Sequence, residues 1–206
     1  DYAVIGLTYG FVLTVLIVGM GLASGGHFTP AVTLGAIVMK KISAVDGIIY
    51  MLAQLSGGVL GALLTKSLLL DEGRAANYGA ATVSPLLAGN FAGMVVEALG
   101  TFALVLVILA VAMGAKAIKD WAPLAIGLTF GVIGMVFGPL TGASVNPARW
   151  FGPALVSGEW GGVWPYLVGP IVGALLAVAF FKFVIAKGEA DAGGPPIEPP
   201  TPASGG

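Results

Sequence analysis

Two short segments place a small polar residue before Pro-Ala, and polar breaks of this kind in apolar sequence can form a path for a solute. They are Thr29-Pro30-Ala31 and Asn146-Pro147-Ala148. Thr and Asn are favoured as helix N-caps, where the side-chain oxygen accepts hydrogen bonds from free backbone N–H groups, and Pro is favoured as the first helical residue. Each segment therefore predicts the start of a helix, with a hydroxyl proton or an amide group left to donate to a passing molecule.

Two such helix starts would make the centre of a membrane protein electropositive. Each helix N-terminus carries roughly half a positive charge, which favours the oxygen of a neutral polar molecule and repels cations, including protons. The loops before the two segments can expose backbone carbonyl oxygens as rows of acceptors. These loops are Gly25-Gly26-His27-Phe28 and Gly142-Ala143-Ser144-Val145. Acceptor rows leading to central donors are typical of a conduit for small neutral molecules.

The composition indicates which elements must position these segments. Hydrophobic residues make up 57% of the chain, charged residues 9%, and the mean hydropathy is +0.99, whereas soluble domains carry about 25% charged residues. An all-α polytopic membrane protein is predicted. Five apolar segments approach the roughly 20 residues that cross a bilayer as a helix: 3–23, 47–69, 91–114, 121–140 and 163–186. Two shorter pieces, 30–39 and 147–156, begin at Pro and predict half-helices that enter the membrane and return.

Several function classes are excluded by composition. The net charge of −1 gives no reason to expect a nucleic-acid partner. Because the chain has no cysteine, disulfides, thiol catalysis and thiolate metal sites are excluded. We find no nucleophile–base pair, metal cluster or phosphate-binding loop in the sequence, so neither an enzyme nor a cofactor is expected. A lone His27 favours a structural or pore-lining role over metal binding.

The sequence is internally duplicated. Residues 5–10 read Ile-Gly-Leu-Thr-Tyr-Gly and residues 126–131 read Ile-Gly-Leu-Thr-Phe-Gly. A second pair of matching segments is Gly57/Gly61 followed by Ala-Leu-Leu, and Gly169/Gly173 followed by the same tripeptide. Matching spans lie three crossings apart and therefore run antiparallel, which predicts an inverted repeat. The glycines themselves indicate close helix packing.

The duplication divides the chain into four parts. We expect a first repeat at 1–69, a connecting loop at 70–90, a second repeat at 91–187 and a disordered Gly/Pro-rich tail at 188–206. The span that contains Glu97 opens the second repeat, but no equivalent span precedes Tyr9. A symmetric arrangement would need one more helix before residue 1, so the first repeat is expected to be incomplete in this chain.

Basic residues predict the orientation. Six lysines fall on the face that collects 40–46, 115–120 and the C-terminal tail, whereas the opposite loops hold only Lys66 and Arg74. Cytoplasmic loops are enriched in Lys and Arg, so the face with six lysines and the C-terminus is predicted to be cytoplasmic. The six are Lys40, Lys41, Lys116, Lys119, Lys182 and Lys187.

On these residues the chain resembles the aquaporin (major intrinsic protein) family. The resemblance covers residues 3–186 and rests on residues 24–33, Asn146-Pro147-Ala148-Arg149, Glu97 with Thr101 and Phe102, Gln54, and Gly169-Pro170. It implies an aquaporin-like fold of six spanning helices and two re-entrant half-helices, with the first helix absent from this chain. It also implies a homotetramer in a lipid membrane, the plasma membrane of a prokaryote, with water and small neutral solutes as partners.

Family spacing implies a narrow constriction at four residues: Tyr9, Gly134, Ala143 and Arg149. A guanidinium inside a membrane protein is costly and indicates function, here donation to a neutral solute and repulsion of cations. Gly134 and Ala143 imply a wider, less polar opening than in strict water channels, one that would admit ammonia, urea or undissociated metalloid acids. Replacing Gly134 by His is expected to narrow this opening. The chain departs from the family pattern at Thr29, where Asn is usual, and Trp150 argues against a glycerol channel.

Glu97 supports two readings of function. The resemblance implies that its carboxylate holds backbone N–H groups of a loop, as part of a passive channel that excludes ions and protons. The alternative is an ion-coupled secondary transporter that uses Glu97 as its proton-coupling group, since such transporters also contain inverted repeats and broken helices. One acid without a visible intramembrane partner favours the channel.

Overall fold

The computed structural model of the protein describes residues 1–114 and 116–188, and every regular element in these residues is helical. The α-helices are α1 Tyr2–Ser24, α2 Pro30–Val38, α3 Ala44–Leu68, α4 Leu70–Ala75, α5 Gly89–Ile108, α6 Ala122–Thr141, α7 Pro147–Ser157 and α8 Val163–Phe180. Helices α5 and α8 each continue into a π-helical turn, Leu109–Met113 and Phe181–Ala186.

Five helical stretches in the described residues are long and apolar enough to cross a membrane. They correspond one to one with the five predicted spans, so the all-helical membrane fold is confirmed. Helices α2 and α7, with 9 and 11 residues, are too short to span. Part of the predicted loop 70–90 folds as α4, and the predicted disordered tail lies outside the described residues from 189 onward.

The two copies of the duplicated hexamer pack directly against each other where α1 crosses α6. A Cβ atom at Gly6 would lie 2.6 Å from the carbonyl oxygen of Gly131, and one at Gly10 would lie 2.8 Å from that of Gly127. Only glycine permits this approach, and close backbone contact is how helices associate in lipid. The pairs 6–131 and 10–127 run in opposite directions, as an inverted repeat requires.

The second pair of duplicated glycines is packed in one half of the chain only. On α8, a Cβ at Gly169 would lie 2.8 Å from the Met94 carbonyl oxygen of α5, so these two helices are in close contact. On α3, a Cβ at Gly57 or Gly61 would meet no heavy atom of another helix within 4 Å among the described residues. The two repeats thus share these glycines, but among the described residues only the pair on α8 packs against another helix.

The core lies between the half-helix α2 and the long helices α5, α6 and α8, with Val32, Leu104, Ile133 and Val178 among its buried residues. A smaller cluster joins the half-helix α7 to the segment before α5 and to α8. Its buried members are Ala81, Trp150, Ala154 and Tyr166. Both half-helices are therefore anchored by packing, which fixes the positions of their N-termini.

Candidate functional site

The N-termini of both half-helices are capped by the polar residue that precedes Pro-Ala. The Thr29 hydroxyl accepts a hydrogen bond from the Ala31 N–H (3.3 Å). The Asn146 side-chain oxygen accepts from the N–H groups of Ala148 and Arg149 (2.9 and 3.3 Å). Both cap residues have extended backbone angles, as helix N-caps do. Because the side-chain oxygens of Thr29 and Asn146 accept these bonds, the Thr29 hydroxyl proton and the Asn146 amide NH₂ remain as donors.

A hydrogen bond joins the cap of α7 to the residue before the cap of α2. The Asn146 side-chain amide donates to the carbonyl oxygen of Phe28, the residue before Thr29, over 2.8 Å. This single bond joins the loop of the first repeat to the half-helix of the second. The prolines and alanines of both segments are wholly or largely buried against the helices: Pro30, Ala31, Pro147 and Ala148.

The loop before Asn146 is held by a buried carboxylate. Glu97 of α5 is inaccessible to solvent and accepts from the Thr141 hydroxyl (2.6 Å) and from the backbone N–H groups of Ser144 and Val145. Two residues of this loop, Ala143 and Val145, have left-handed φ angles of 46° and 41°. Such angles are unfavourable for L residues, so contacts such as those of Glu97 must hold the loop in place.

The loop before Thr29 is held by neutral groups of α3 instead. The Tyr50 hydroxyl donates to the carbonyl oxygen of Ser24 (2.6 Å) and accepts from the His27 N–H (3.4 Å). The Gln54 side-chain amide donates to the carbonyl oxygen of His27 and to the Thr33 hydroxyl. The His27 ring is buried against the ring of Tyr50. The two loops thus have equivalent positions in the repeat but chemically different supports.

Arg149 lies in a cavity of about 500 Å³ at one end of the molecule, which Tyr9, Gly134 and Gly142 also line. One terminal nitrogen of its guanidinium donates to the Tyr9 hydroxyl (3.1 Å) and the other to the carbonyl oxygen of Gly79 (3.2 Å). The Tyr9 ring stacks on Phe130 of α6, with ring centroids 5.5 Å apart. Three of the four residues expected at the constriction therefore surround one cavity.

Unlike Tyr9 and Arg149, Gly134 and Ala143 place no side chain in this cavity. A Cβ at Gly134 would lie 3.1 Å from the Cα of Gly6, so this glycine faces the neighbouring helix α1. Ala143 is almost completely buried, and the residue before it, Gly142, lines the cavity. The alanine methyl group therefore contributes to packing of the loop.

A second cavity, of about 100 Å³, lies toward the other end of the molecule. Its polar wall is the loop Gly25, Gly26, His27, Phe28 and Thr29, and the rest of its wall is apolar, with Leu13, Ile17, Leu104 and Ile126 among its residues. Positions along α1 place the two cavities in sequence. Tyr2, Ile5 and Tyr9 line the first, and Leu13 and Ile17 line the second. Thr29, the cap of α2, lines the smaller cavity, and Arg149, three residues after the cap of α7, lines the larger one.

Among the contacts that were not predicted from the sequence are those of the Gly79 carbonyl oxygen and the Tyr166 hydroxyl. The Gly79 carbonyl oxygen that accepts from Arg149 belongs to a stretch interpreted only as a polar loop. The Tyr166 hydroxyl donates to the carbonyl oxygen of Thr141 over 2.8 Å and so supports the same loop as Glu97. A buried tyrosine in an apolar helix gives the one available hint, because its hydroxyl needs a partner.

The chain is similar to known proteins in sequence and in structure. The model of the family described as "Major intrinsic protein" matches residues 1–181. The chain is 38% identical to "Probable aquaporin TIP2-2" of Oryza sativa subsp. japonica, over 90% of this chain and 73% of that protein. It is also 38% identical to "Glycerol uptake facilitator protein-like 6" of Lactiplantibacillus plantarum, over 86% of this chain and 82% of that protein.

The fold is likewise similar to that of a solved structure. The X-ray structure of the aquaglyceroporin from Plasmodium falciparum superposes with a TM-score of 0.79 and 26% sequence identity, and the match covers 91% of this chain and 84% of that one. Two further relatives, from Glycine max and Arabidopsis thaliana, are longer, and the chain spans 65% and 60% of their lengths.

Proposed function

This chain belongs to the major intrinsic protein family, and from that membership we propose that it is a passive membrane channel for water. We further propose that it passes small uncharged solutes such as ammonia, urea and metalloid acids, and that it excludes ions and protons. The observation that carries the proposal is the hydrogen bond between Asn146 and Phe28, which joins the cap of α7 to the residue before the cap of α2. Phe28 lines the smaller cavity and Arg149 the larger one.

The centre of the proposed path favours a neutral solute that can accept hydrogen bonds. The Thr29 hydroxyl proton and the second amide proton of Asn146 remain available as donors. The aligned peptide dipoles of α2 and α7 add partial positive charge at the same place. A cation entering this region loses hydration and meets positive potential, whereas a water molecule exchanges one set of hydrogen bonds for another.

The wider cavity supplies the second proposed filter. Arg149 uses one N–H on each terminal nitrogen to bind Gly79 and Tyr9, and a guanidinium has five N–H groups, so donors remain for a solute. Its fixed positive charge opposes cation entry. Ala143 is buried, so its methyl group adds no steric barrier beside Arg149. The low steric barrier supports passage of small neutral molecules in addition to water.

The surroundings of Glu97 favour the channel over an ion-coupled transporter. A coupling carboxylate must be free to take up and release its ion, whereas both oxygens of Glu97 already accept bonds, from Thr141 and the 144–145 backbone. A proton on one oxygen would replace an acceptor by a donor there and break a bond that positions the loop before Asn146. We therefore assign Glu97 a supporting role.

We also propose a homotetramer in the plasma membrane of a prokaryote, with the C-terminus in the cytoplasm. The lysines of the face that contains Lys40, Lys41 and Lys182 support this orientation. The Lys182 ammonium caps the C-terminus of the half-helix α2 by donating to the carbonyl oxygen of Val38 (3.1 Å). This face would then lie near the smaller cavity, and Arg149 near the outer surface.

Stopped-flow light scattering on proteoliposomes tests the proposal. Vesicles that contain the full chain should shrink under an osmotic gradient faster than empty vesicles, with a weak temperature dependence and no requirement for an ion gradient. A panel of urea, ammonia and boric acid then measures the solute range. Flux that depends on a proton or sodium gradient would contradict the channel and support the transporter.

A further inference from the structure

The backbone segment that binds Arg149 has an unusual conformation. Three consecutive residues, Asn77, Tyr78 and Gly79, have φ angles of 45°, 54° and 88°. Two of them carry side chains, for which the left-handed region is unfavourable, and such strain persists only where surrounding contacts hold it. The turn is closed by two backbone hydrogen bonds, from Gly79 to Ala76 (2.9 Å) and from Ala80 to Asn77 (3.0 Å).

The Tyr78 ring supplies the contacts that can hold this turn. The ammonium nitrogen of Lys66, near the end of α3, lies 5.5 Å from the ring centroid, within the range of a cation–π interaction. On α4, a Cβ at Gly73 would lie 3.3 Å from Cδ1 of the same ring. The ring therefore contacts an ammonium group and the bare backbone at Gly73, and a larger residue at position 73 would displace it.

The turn determines where one of the two acceptors of Arg149 lies. The Tyr9 hydroxyl belongs to the long helix α1, which is packed against α6 through the glycine pairs. The Gly79 carbonyl oxygen belongs to a short turn, which contacts α3, α4 and α7 but is not part of a long helix. Since the two acceptors bind different terminal nitrogens, the orientation of the guanidinium plane depends on both.

We propose that Tyr78 is a positioning residue for Arg149: its ring, fixed by Lys66 and by the space at Gly73, holds the left-handed turn Asn77–Gly79 so that the Gly79 carbonyl oxygen binds the guanidinium. The inference rests on the proposed channel function and deepens it, because it assigns part of the selectivity of the constriction to a residue outside it. Tyr78 itself does not line the cavity around Arg149 in the described residues.

Replacement of Tyr78 tests this assignment in the full chain. In proteoliposomes, Tyr78→Ala should raise urea permeability roughly 2- to 5-fold, the size of one exposed cation–π contact, and leave water permeability near its starting value. Tyr78→Phe keeps the ring and should match the unmodified protein. In the double variant with Arg149→Ala, adding Tyr78→Ala should change nothing further, because the group that it positions is gone.

A second measurement reads the turn without relying on conduction. The chain contains no cysteine, so a single Ala80→Cys substitution reports the exposure of the turn through its rate of maleimide labelling. The rate should rise when Tyr78→Ala or Lys66→Met is added and stay unchanged with Tyr78→Phe. Lys66→Met also serves as the transport variant if Tyr78→Ala fails to insert.

The outcomes separate this inference from the proposed function. Unchanged labelling together with an unchanged solute panel in Tyr78→Ala would overturn the assignment, and so would an equal rise in urea permeability with and without Arg149. Unmodified vesicles that conduct no more water than empty ones would instead overturn the channel. In that case the labelling rates still decide whether Tyr78 holds the turn.

Discussion

Asn146 donates a hydrogen bond from its side-chain amide to the carbonyl oxygen of Phe28, which lies 118 positions earlier in the chain. In the inverted repeat, Val145 corresponds to Phe28 and Thr29 corresponds to Asn146. The structure shows no reciprocal bond from the Thr29 hydroxyl, a shorter group than an amide, to the carbonyl oxygen of Val145. The centre of the proposed path is therefore asymmetric, with one amide donor and one hydroxyl.

Thr29→Asn should restore the reciprocal bond and lower proton leak. A second central amide adds a donor where a cation would lose hydration, and a net contribution of about 0.5–1.5 kcal/mol corresponds to a decrease of roughly 2- to 10-fold. A pH-sensitive dye in proteoliposomes measures the leak. Thr29→Ser keeps the hydroxyl and should leave the proton leak unchanged. An equal leak in the unmodified protein and in both variants would show that residue 29 does not set cation exclusion.

The fold was predictable to the extent that hydropathy and proline determine it. Uniformly apolar stretches predicted the span 121–140, and the structure has α6 at Ala122–Thr141. Pro30 and Pro147 mark the observed starts of both half-helices, because proline is compatible with the first helical turn. The π-helical turn Leu109–Met113 was not predictable, since its residues are as apolar as those of the α-helix before it.

The candidate site was predictable where a side chain makes the contact and less so where the backbone does. Family spacing placed Arg149 near Tyr9, and the structure gives a hydrogen bond between them. The acceptor at Gly79 could not be identified, because a carbonyl oxygen is present in every residue and only the turn selects this one. Tyr50 was missed because a tyrosine in an apolar span also fits a lipid-facing position.

Glu97→Gln should destabilise the protein without making transport ion-dependent. A glutamine amide offers one acceptor oxygen where the carboxylate uses both, so a backbone N–H of Ser144 or Val145 loses its partner at a cost of about 1–3 kcal/mol. Denaturant unfolding in detergent measures the change, and Glu159→Gln, at an exposed carboxylate, is the matched control. Retained stability with loss of gradient-driven uptake would instead support the transporter.

Tyr9→Phe should loosen Arg149 while keeping the aromatic wall. The ring can still stack on Phe130, but one terminal nitrogen of the guanidinium loses its acceptor. We expect urea permeability to rise roughly 2- to 10-fold, as loss of a bond worth about 0.5–1.5 kcal/mol implies, and water permeability to change little. Tyr2→Phe removes a hydroxyl from the same helix and cavity, and should leave the solute panel unchanged. Equal effects of the two variants would contradict the role of the Tyr9 hydroxyl.

Gly134→Ala should cost stability, because this residue lies where α6 approaches α1. Its new Cβ would lie 3.1 Å from the Cα of Gly6, a backbone atom that can move only if the two helices separate. Overpacking of this kind costs about 1–3 kcal/mol, measured as a lower midpoint of denaturant unfolding in detergent. Gly19→Ala is the matched control, since a Cβ there meets no heavy atom within 4 Å among the described residues.

Gly134→His extends the same argument to selectivity. Sequence spacing alone predicts that histidine would narrow the opening and reduce urea flux while water flux persists. In the structure, a side chain at position 134 starts between Gly6 and the Tyr9 ring, with Cδ2 of Tyr9 3.7 Å from the new Cβ. We therefore expect histidine to displace Tyr9 and to push α6 away from α1, so that stability falls and water flux falls because fewer channels stay folded. A stable Gly134→His protein that loses only urea flux would show that position 134 faces an open pore and that the packing argument is wrong.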